Sequence, residues 1–134
     1  MMSPSFDHNA CLARAFTDAY NARELDDFLA VLSEDIELRT PRGIRRGRRE
    51  AAQWFNKSLD HLDLRFEPER LLVGESEVVG FGHLLFTWKE TGELAERTQG
   101  AVVWTVEEGL IRSWQPFETC PDALRAAGIL PAAE

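Results

Sequence analysis

Apolar residues in the first third of the chain recur at helical spacing. Leu12, Ala13, Phe16, Ala19 and Tyr20 form one stripe and predict a helix from about Asp7 to Ala22. Leu25, Phe28, Leu29 and Leu32 form a second, shorter stripe, with Asp26 and Asp27 placed for its first turn. The period then changes to two. Ile36, Leu38 and Thr40 alternate with Glu37 and Arg39, predicting a half-buried strand that Pro41 and Gly43 stop. A third helix is expected from about Arg48 to Leu62, burying Ala51, Trp54, Phe55, Ser58, Leu59 and Leu62. Four strands follow: Leu64 to Val73 (broken by Pro68), Glu77 to Lys89, Arg97 to Val106 and Leu110 to Thr119. Thr91-Gly92 and Glu107-Glu108-Gly109 supply turns, and Pro121 to Ala127 reads as a last short helix ended by Gly128.

Helix, helix, strand, helix and then four hairpin-linked strands predict an α+β fold. Three helices would pack on the concave face of a strongly curved, cone-shaped antiparallel sheet. Residues 1–134 make a single domain with its core at about 7–129. A cone that is not filled leaves a pocket. On the second long strand Val78, Gly80, Gly82, Leu84, Phe86 and Trp88 share a face, which is assigned inward because it carries the larger aromatics. Gly80 and Gly82 would allow tight curvature. Phe81, His83 and Leu85 lie on the other face with Val79 and Thr87. That face is also apolar, so a covering layer is expected, a second copy of the chain being the candidate.

The chain has 134 residues with 15 basic and 23 acidic side chains, a net charge of −8. This excludes a broadly basic surface for nucleic acid or anionic membrane. No stretch approaches the roughly 20 apolar residues of a membrane helix. Met1 to Asn9 lacks the basic-then-apolar pattern of a signal peptide, so a cytoplasmic location is expected. Cys11 and Cys120 form no ligand or redox motif and read as buried, reduced thiols, a disulfide between them requiring spatial proximity that spacing does not show. His8, His61 and His83 stand at no metal-ligand spacing, so neither metal nor cofactor is expected. The charge is uneven. Arg39, Arg42, Arg45, Arg46, Arg48 and Arg49 crowd into eleven residues that contain no acid, leaving 9 basic against 23 acidic residues elsewhere, a net of −14.

Five segments carry a family resemblance: Phe16-Thr-Asp-Ala-Tyr-Asn-Ala-Arg-Glu-Leu-Asp26, Asp35-Ile-Glu-Leu-Arg-Thr-Pro41, Arg46-Gly-Arg-Arg-Glu50, Val103-Trp-Thr-Val-Glu-Glu-Gly-Leu-Ile-Arg112 and Ala123-Leu-Arg-Ala-Ala-Gly128. In this order they resemble the nuclear transport factor 2-like superfamily, in its SnoaL-like, ketosteroid isomerase-related bacterial branch. The resemblance implies a helix-capped cone but no single activity, because that fold hosts isomerases, dehydratases, cyclases, epoxide hydrolases and non-enzymatic binders. Ketosteroid isomerase-type members carry an Asp at the end of the first strand, a Tyr on the first helix and an Asp on the next-to-last strand. The corresponding positions here are Thr40, Phe16 and Val102 (or Ala101). Phe16 has no donor for an oxyanion and Thr40 is no base near neutral pH. The acid of the epoxide hydrolase type is missing at the same Val102 or Ala101.

The resemblance turns Val102, Trp104, Trp114 and Glu118 inward. With Phe16, Thr40, Trp54 and Trp88 they would surround a small hydrophobic molecule, or the tryptophans would simply fill the core. Glu118 and Tyr20 are the candidate catalytic residues. A carboxyl among indoles would hold its proton more tightly and could act as general acid or base. Alternatively Glu118 is solvated or paired with the arginine loop. Two functions stay open: an isomerase, dehydratase or cyclase for a hydrophobic carbonyl compound, and a non-catalytic binding or dimeric interaction domain.

Overall fold

The stripe of the first segment is buried along its length, from Leu12 to Tyr20, in the computed structural model, which describes residues 4–40, 43–57, 61–117 and 123. It belongs to α1 (Pro4–Ala22), followed by α2 (Leu25–Ala30), β1 (Leu32–Thr40), β2 (Gly43–Arg46), α3 (Gly47–Lys57), β3 (Leu62–Val73), β4 (Glu77–Trp88), β5 (Leu94–Glu107) and β6 (Leu110–Phe117). The six strands form one curved, unclosed sheet in the order β2-β1-β6-β5-β4-β3, and the three helices pack on it. Pairing is antiparallel except between β1 and β6, which run parallel. α1 lies against β3, β4 and β6, while α3 lies against β1 and β2.

Three local expectations are corrected. The arginine-rich stretch is not all loop: Gly43–Arg46 is a strand whose residues are all exposed, so no burial pattern marks it. It forms a hairpin with β1, pairing Leu38 with Arg45 and Thr40 with Gly43. Leu32 and Leu62 are strand residues rather than the last members of helical stripes, since each opens a sheet pairing. Cys11 is exposed on α1 rather than buried. Cys120 lies outside the described residues, as do Ser58, Leu59 and the expected helix from Pro121 apart from Ala123.

The inward face of β4 is the expected one. Val78 and Leu84 join the main core with Val102, Trp104 and Phe28. The two glycines on that face act differently. A Cβ at Gly80 would lie 2.9 Å from the Trp104 indole, so Gly80 leaves room for that ring. At Gly82 a Cβ would run into the Glu67 carbonyl, and it would lie 2.8 Å from Pro68 Cα. The bulge of β3 between Pro68 and Arg70 therefore presses its backbone onto β4 where there is no side chain. On the opposite face Val79, Ala101 and Val103 form a second cluster with Ala123, flanked by Phe81 and Phe117. Part of that face is thus covered by a residue of the chain's own C-terminal stretch.

α1 is tied to the sheet by polar side chains at both ends. The Asn21 amide donates to the Phe66 carbonyl at 2.8 Å and accepts from the Phe66 N–H at 3.1 Å, so a helical side chain pairs with the edge strand as another strand would. Near the other end, buried Asn9 donates to the Gly74 and Glu75 carbonyls in the β3–β4 turn. The helix closes with Glu24 N–H on the Ala19 carbonyl and Arg23 N–H on the Tyr20 carbonyl, with Arg23 in the left-handed region at φ 60°. The Arg23 guanidinium supports this turn through Leu64 O, Tyr20 O and Asp63.

Replacing Asn21 with Ala leaves both Phe66 backbone groups without that partner and should cost about 1–3 kcal/mol, read as a lower thermal midpoint. Asn21→Asp, which keeps the acceptor, should fall between. Gly82→Ala should destabilise by a similar ~1–3 kcal/mol, because the added methyl meets backbone that cannot rotate away; an unchanged melting curve would refute the close-approach role.

Candidate functional site

An aromatic cluster fills the space between the helices and the concave face. Phe28 is fully buried at its centre, 4.8 Å from Phe55 and 4.9 Å from Phe16 between ring centroids. Tyr20 stacks on Trp54 at 5.2 Å, Phe16 on Trp114 at 6.1 Å, and Trp104 meets Phe16 edge-on at 6.0 Å. These spacings are those of favourable aromatic pairs.

Packing is not complete. A cavity remains, with about 20 Å³ open to the centre of a water-sized sphere. From the helices it is lined by Phe16, Thr17, Tyr20, Asn21 and Trp54. From the strands it is lined by Leu64, Phe66, Leu84, Trp104 and Trp114. Phe16 and Tyr20 are four residues apart on α1 and so share a helical face. Among the aromatic residues of the wall Trp54 is the half-buried one, part cavity wall and part surface.

The polar groups of the wall divide into two kinds. Thr17 Oγ1 donates to the Ala13 carbonyl, and Asn21 is engaged with Phe66. The Tyr20 hydroxyl and the Trp104 Nε1–H are buried without a hydrogen-bond partner among the described residues. Tyr20 is held in place by its stack on Trp54 and by the Arg23 guanidinium 4.5 Å from its ring centre. No carboxylate or histidine lines the cavity among the described residues.

Of the residues expected at a site, Phe16, Tyr20, Trp54, Trp104 and Trp114 meet around this cavity. Val102 is buried in the same core beside them but is not part of the wall. Thr40 stands at the end of β1, where its hydroxyl donates to the Gly43 carbonyl at 2.7 Å. Trp88 lies apart, 47% exposed, in a surface cleft of about 340 Å³ with His61, Glu90, Thr91 and Glu93. Glu118 lies outside the described residues. Thr17, Asn21, Leu64, Phe66 and Leu84 were not singled out from the sequence. Leu64 and Phe66 could have been, since alternation before Pro68 places both on one strand face.

Other candidate groups are in structural use. His83 sits on the outer face, paired with Glu69, the residue that bulges from β3, and 3.4 Å from Arg97. Arg48 grips the Leu32 carbonyl through Nε at 3.0 Å and Nη2 at 2.6 Å, fixing α3 on β1. Arg39 and Arg46 both face Glu37, at 3.2 and 3.9 Å. The Glu24 carboxyl titrates above its usual range, through its hydrogen bond to Asp27 and the charge beside it, at the start of α2. Among the described residues no group of three His, Cys, Asp or Glu side chains is placed to hold a metal. Nor is any helix long and apolar enough to cross a membrane.

Helices laid over a curved sheet that narrows to an aromatic cavity define the nuclear transport factor 2-like α+β cone. A family model described as the SnoaL-like domain matches residues 13–114, and the chain belongs to that family. No curated protein matches it. Among solved structures it is similar to an NTF2-like protein from Burkholderia xenovorans, 22% identical over 92% of this chain and 98% of that one, with a TM-score of 0.73. It is also similar to an LEH-like epoxide hydrolase from Mycobacterium tuberculosis, 18% identical over 91% and 90%, TM-score 0.72. A third similar protein, from the same organism, was solved in complex with estradiol-17beta-hemisuccinate; it is 13% identical over 85% and 95%, TM-score 0.71.

An unpartnered buried hydroxyl disfavours the free protein. Tyr20→Phe should leave the ligand-free fold as stable or raise its stability by about 1–2 kcal/mol in denaturant melts. A loss of more than that would show that the hydroxyl has a partner within the chain.

Proposed function

We propose that this protein binds a small hydrophobic molecule inside the cone. The supporting observation is the enclosed wall built by α1, α3 and four strands, which is aromatic and aliphatic apart from a few side-chain dipoles. The steroid conjugate in a protein of the same fold supports a ligand of this general kind. The free cavity is far smaller than such a molecule, so binding needs a wall residue to move, and Trp54 is the half-buried ring among the aromatic residues of the wall. A second reading, an isomerase, dehydratase or cyclase for a hydrophobic carbonyl compound, is favoured by the uncommitted Tyr20 hydroxyl. In it Glu118 transfers the proton and Tyr20 holds an oxygen, since Thr40 lies outside the cavity wall with its hydroxyl on the Gly43 carbonyl. Unchanged turnover in Glu118→Gln would remove that residue from the mechanism.

The protein is further proposed to act in the cytoplasm as a homodimer through the outer sheet face. Phe81, His83 and Leu85 are half-buried there in the single chain, beside the Val79–Ala101–Val103 cluster. Sedimentation at micromolar concentration should show twice the monomer mass, and a monomer would refute the dimer.

Ligand binding is tested by tryptophan fluorescence, since Trp54, Trp104 and Trp114 all line the cavity. Estradiol or acetophenone should quench emission saturably. Trp54→Ala, which removes the movable wall, should tighten binding of the larger estradiol several-fold, as engineered apolar cavities take up apolar guests. No saturable response to either compound in either protein would overturn the proposal.

A further inference from the structure

The cleft at the end of the β4–β5 hairpin offers far more free room than the cone, about 340 Å³ against about 20 Å³, and its chemistry is different. Trp88 supplies its apolar surface, while His61, Glu90, Thr91 and Glu93 supply polar walls. Trp88 is 47% exposed, and among the described residues its ring is paired with no other ring and no side-chain cation. Leu94, 57% exposed, opens β5 on the same hairpin, so apolar exposure is concentrated at this end of the molecule. The two carboxylates are equally uncommitted. Neither Glu90 nor Glu93 forms a salt bridge among the described residues. Lys89, the cation between Trp88 and Glu90 in sequence, is not part of the cleft wall.

The backbone sets these positions before anything binds. Trp88 N–H donates to the Glu93 carbonyl at 2.9 Å, and Gly92 N–H donates to the Trp88 carbonyl at 2.7 Å, with Gly92 at φ 74°. Lys89 N–H donates to the His61 carbonyl at 3.0 Å, which ties the residue before β3 to the turn. Glu93 N–H donates to Thr91 Oγ1 at 3.2 Å. A guest therefore meets a ring and two acids already brought together, and the cost of ordering them is reduced.

The combination selects by charge. The face of an indole is negative and attracts a cation more strongly than other aromatic rings do. Two unneutralised carboxylates on a chain of net charge −8 favour the same sign and repel anions. A neutral apolar guest could cover the ring but would gain nothing from the acids. Among the described residues no three His, Cys, Asp or Glu side chains are placed to hold a metal, so a cation that spreads its charge over apolar surface fits better than a compact one.

We propose that this cleft is a second binding site, separate from the cone, for a small organic cation of the quaternary ammonium class, with its head group on the Trp88 indole and its charge balanced by Glu90 and Glu93.

The test compares choline with the uncharged alcohol of the same shape, in which a tert-butyl group replaces the trimethylammonium. Binding to the full chain at low ionic strength is followed on the Trp88 indole N–H resonance, assigned by its loss in Trp88→Leu, and binding to variants on the methyl signal of the probe. Choline should shift the Trp88 resonance saturably, and the alcohol should bind several-fold more weakly. Trp88→Leu, which keeps an apolar side chain but no ring face, should weaken choline about five- to ten-fold and the alcohol much less. The double variant Glu90→Gln with Glu93→Gln should also weaken choline, remove most of its sensitivity to added salt, and spare the alcohol. All three positions are exposed, so the variants should fold, and an unchanged melting curve checks this. Equal affinity for the two probes, choline binding unchanged in Trp88→Leu or in the double variant, or no saturable response to choline would each overturn the site without touching the cone.

Discussion

The paired hydrogen bonds between the Asn21 side chain and the Phe66 backbone hold the two layers of this protein in register. Edge strand β3 has one side unpaired, and a strand edge left open invites further pairing. Here a helical amide supplies the missing neighbour at one residue. The same contact sets the position of α1 across the sheet, with Asn9 fixing the far end at the β3–β4 turn. Once α1 is pinned at both ends, Phe16 and Tyr20 can only face the concave surface. The cavity is therefore a product of polar anchoring as much as of apolar packing.

Within that frame, ring size and backbone proximity divide the space. β4 gives up side chains twice, at Gly80 to admit the Trp104 indole and at Gly82 to admit the bulge of β3. Trp104 then meets Phe16 and Phe66, and Phe16 carries the contact on to Phe28 and Trp114. A cluster with so many shared contacts resists piecemeal change, and removing one ring shifts several others. The half-buried Trp54 is the exception, since part of its surface is free of that constraint.

The fold was largely legible because burial imposes a period. The stripe on α1, the alternation in β1 and the hairpin turn at Glu108-Gly109, with both residues at positive φ, all follow from local chemistry. β2 was not legible, because its four exposed residues carry no burial signal and their pairing depends on β1. The inward face of β4 was read from Phe86 and Trp88, yet Trp88 ends half-exposed and the face is marked by Gly80 beneath Trp104. Parity also fails on β6. Arg112 is skipped where the β5–β6 register shifts, so Ile111 and Trp114 both reach the core despite odd spacing. Of the cavity wall, the aromatics stood out by type. Asn21 stood within a helical segment with no signal of its own, because its strand-like role is a tertiary contact.

The parallel pairing of β1 with β6 has a consequence for how the molecule comes to be made. β1, β2 and α3 are synthesised early, but their only neighbour in the sheet is the strand completed near the end of the chain. β3, β4 and β5 can zip as successive hairpins while the ribosome is still working. The β1–β2 hairpin, with α3 on its face, must wait with the other edge of β1 unpaired until Leu110–Phe117 has emerged. Its second strand stays at the border of the finished sheet, where exposed Arg45 and Arg46 place charge on an edge that would otherwise invite another strand.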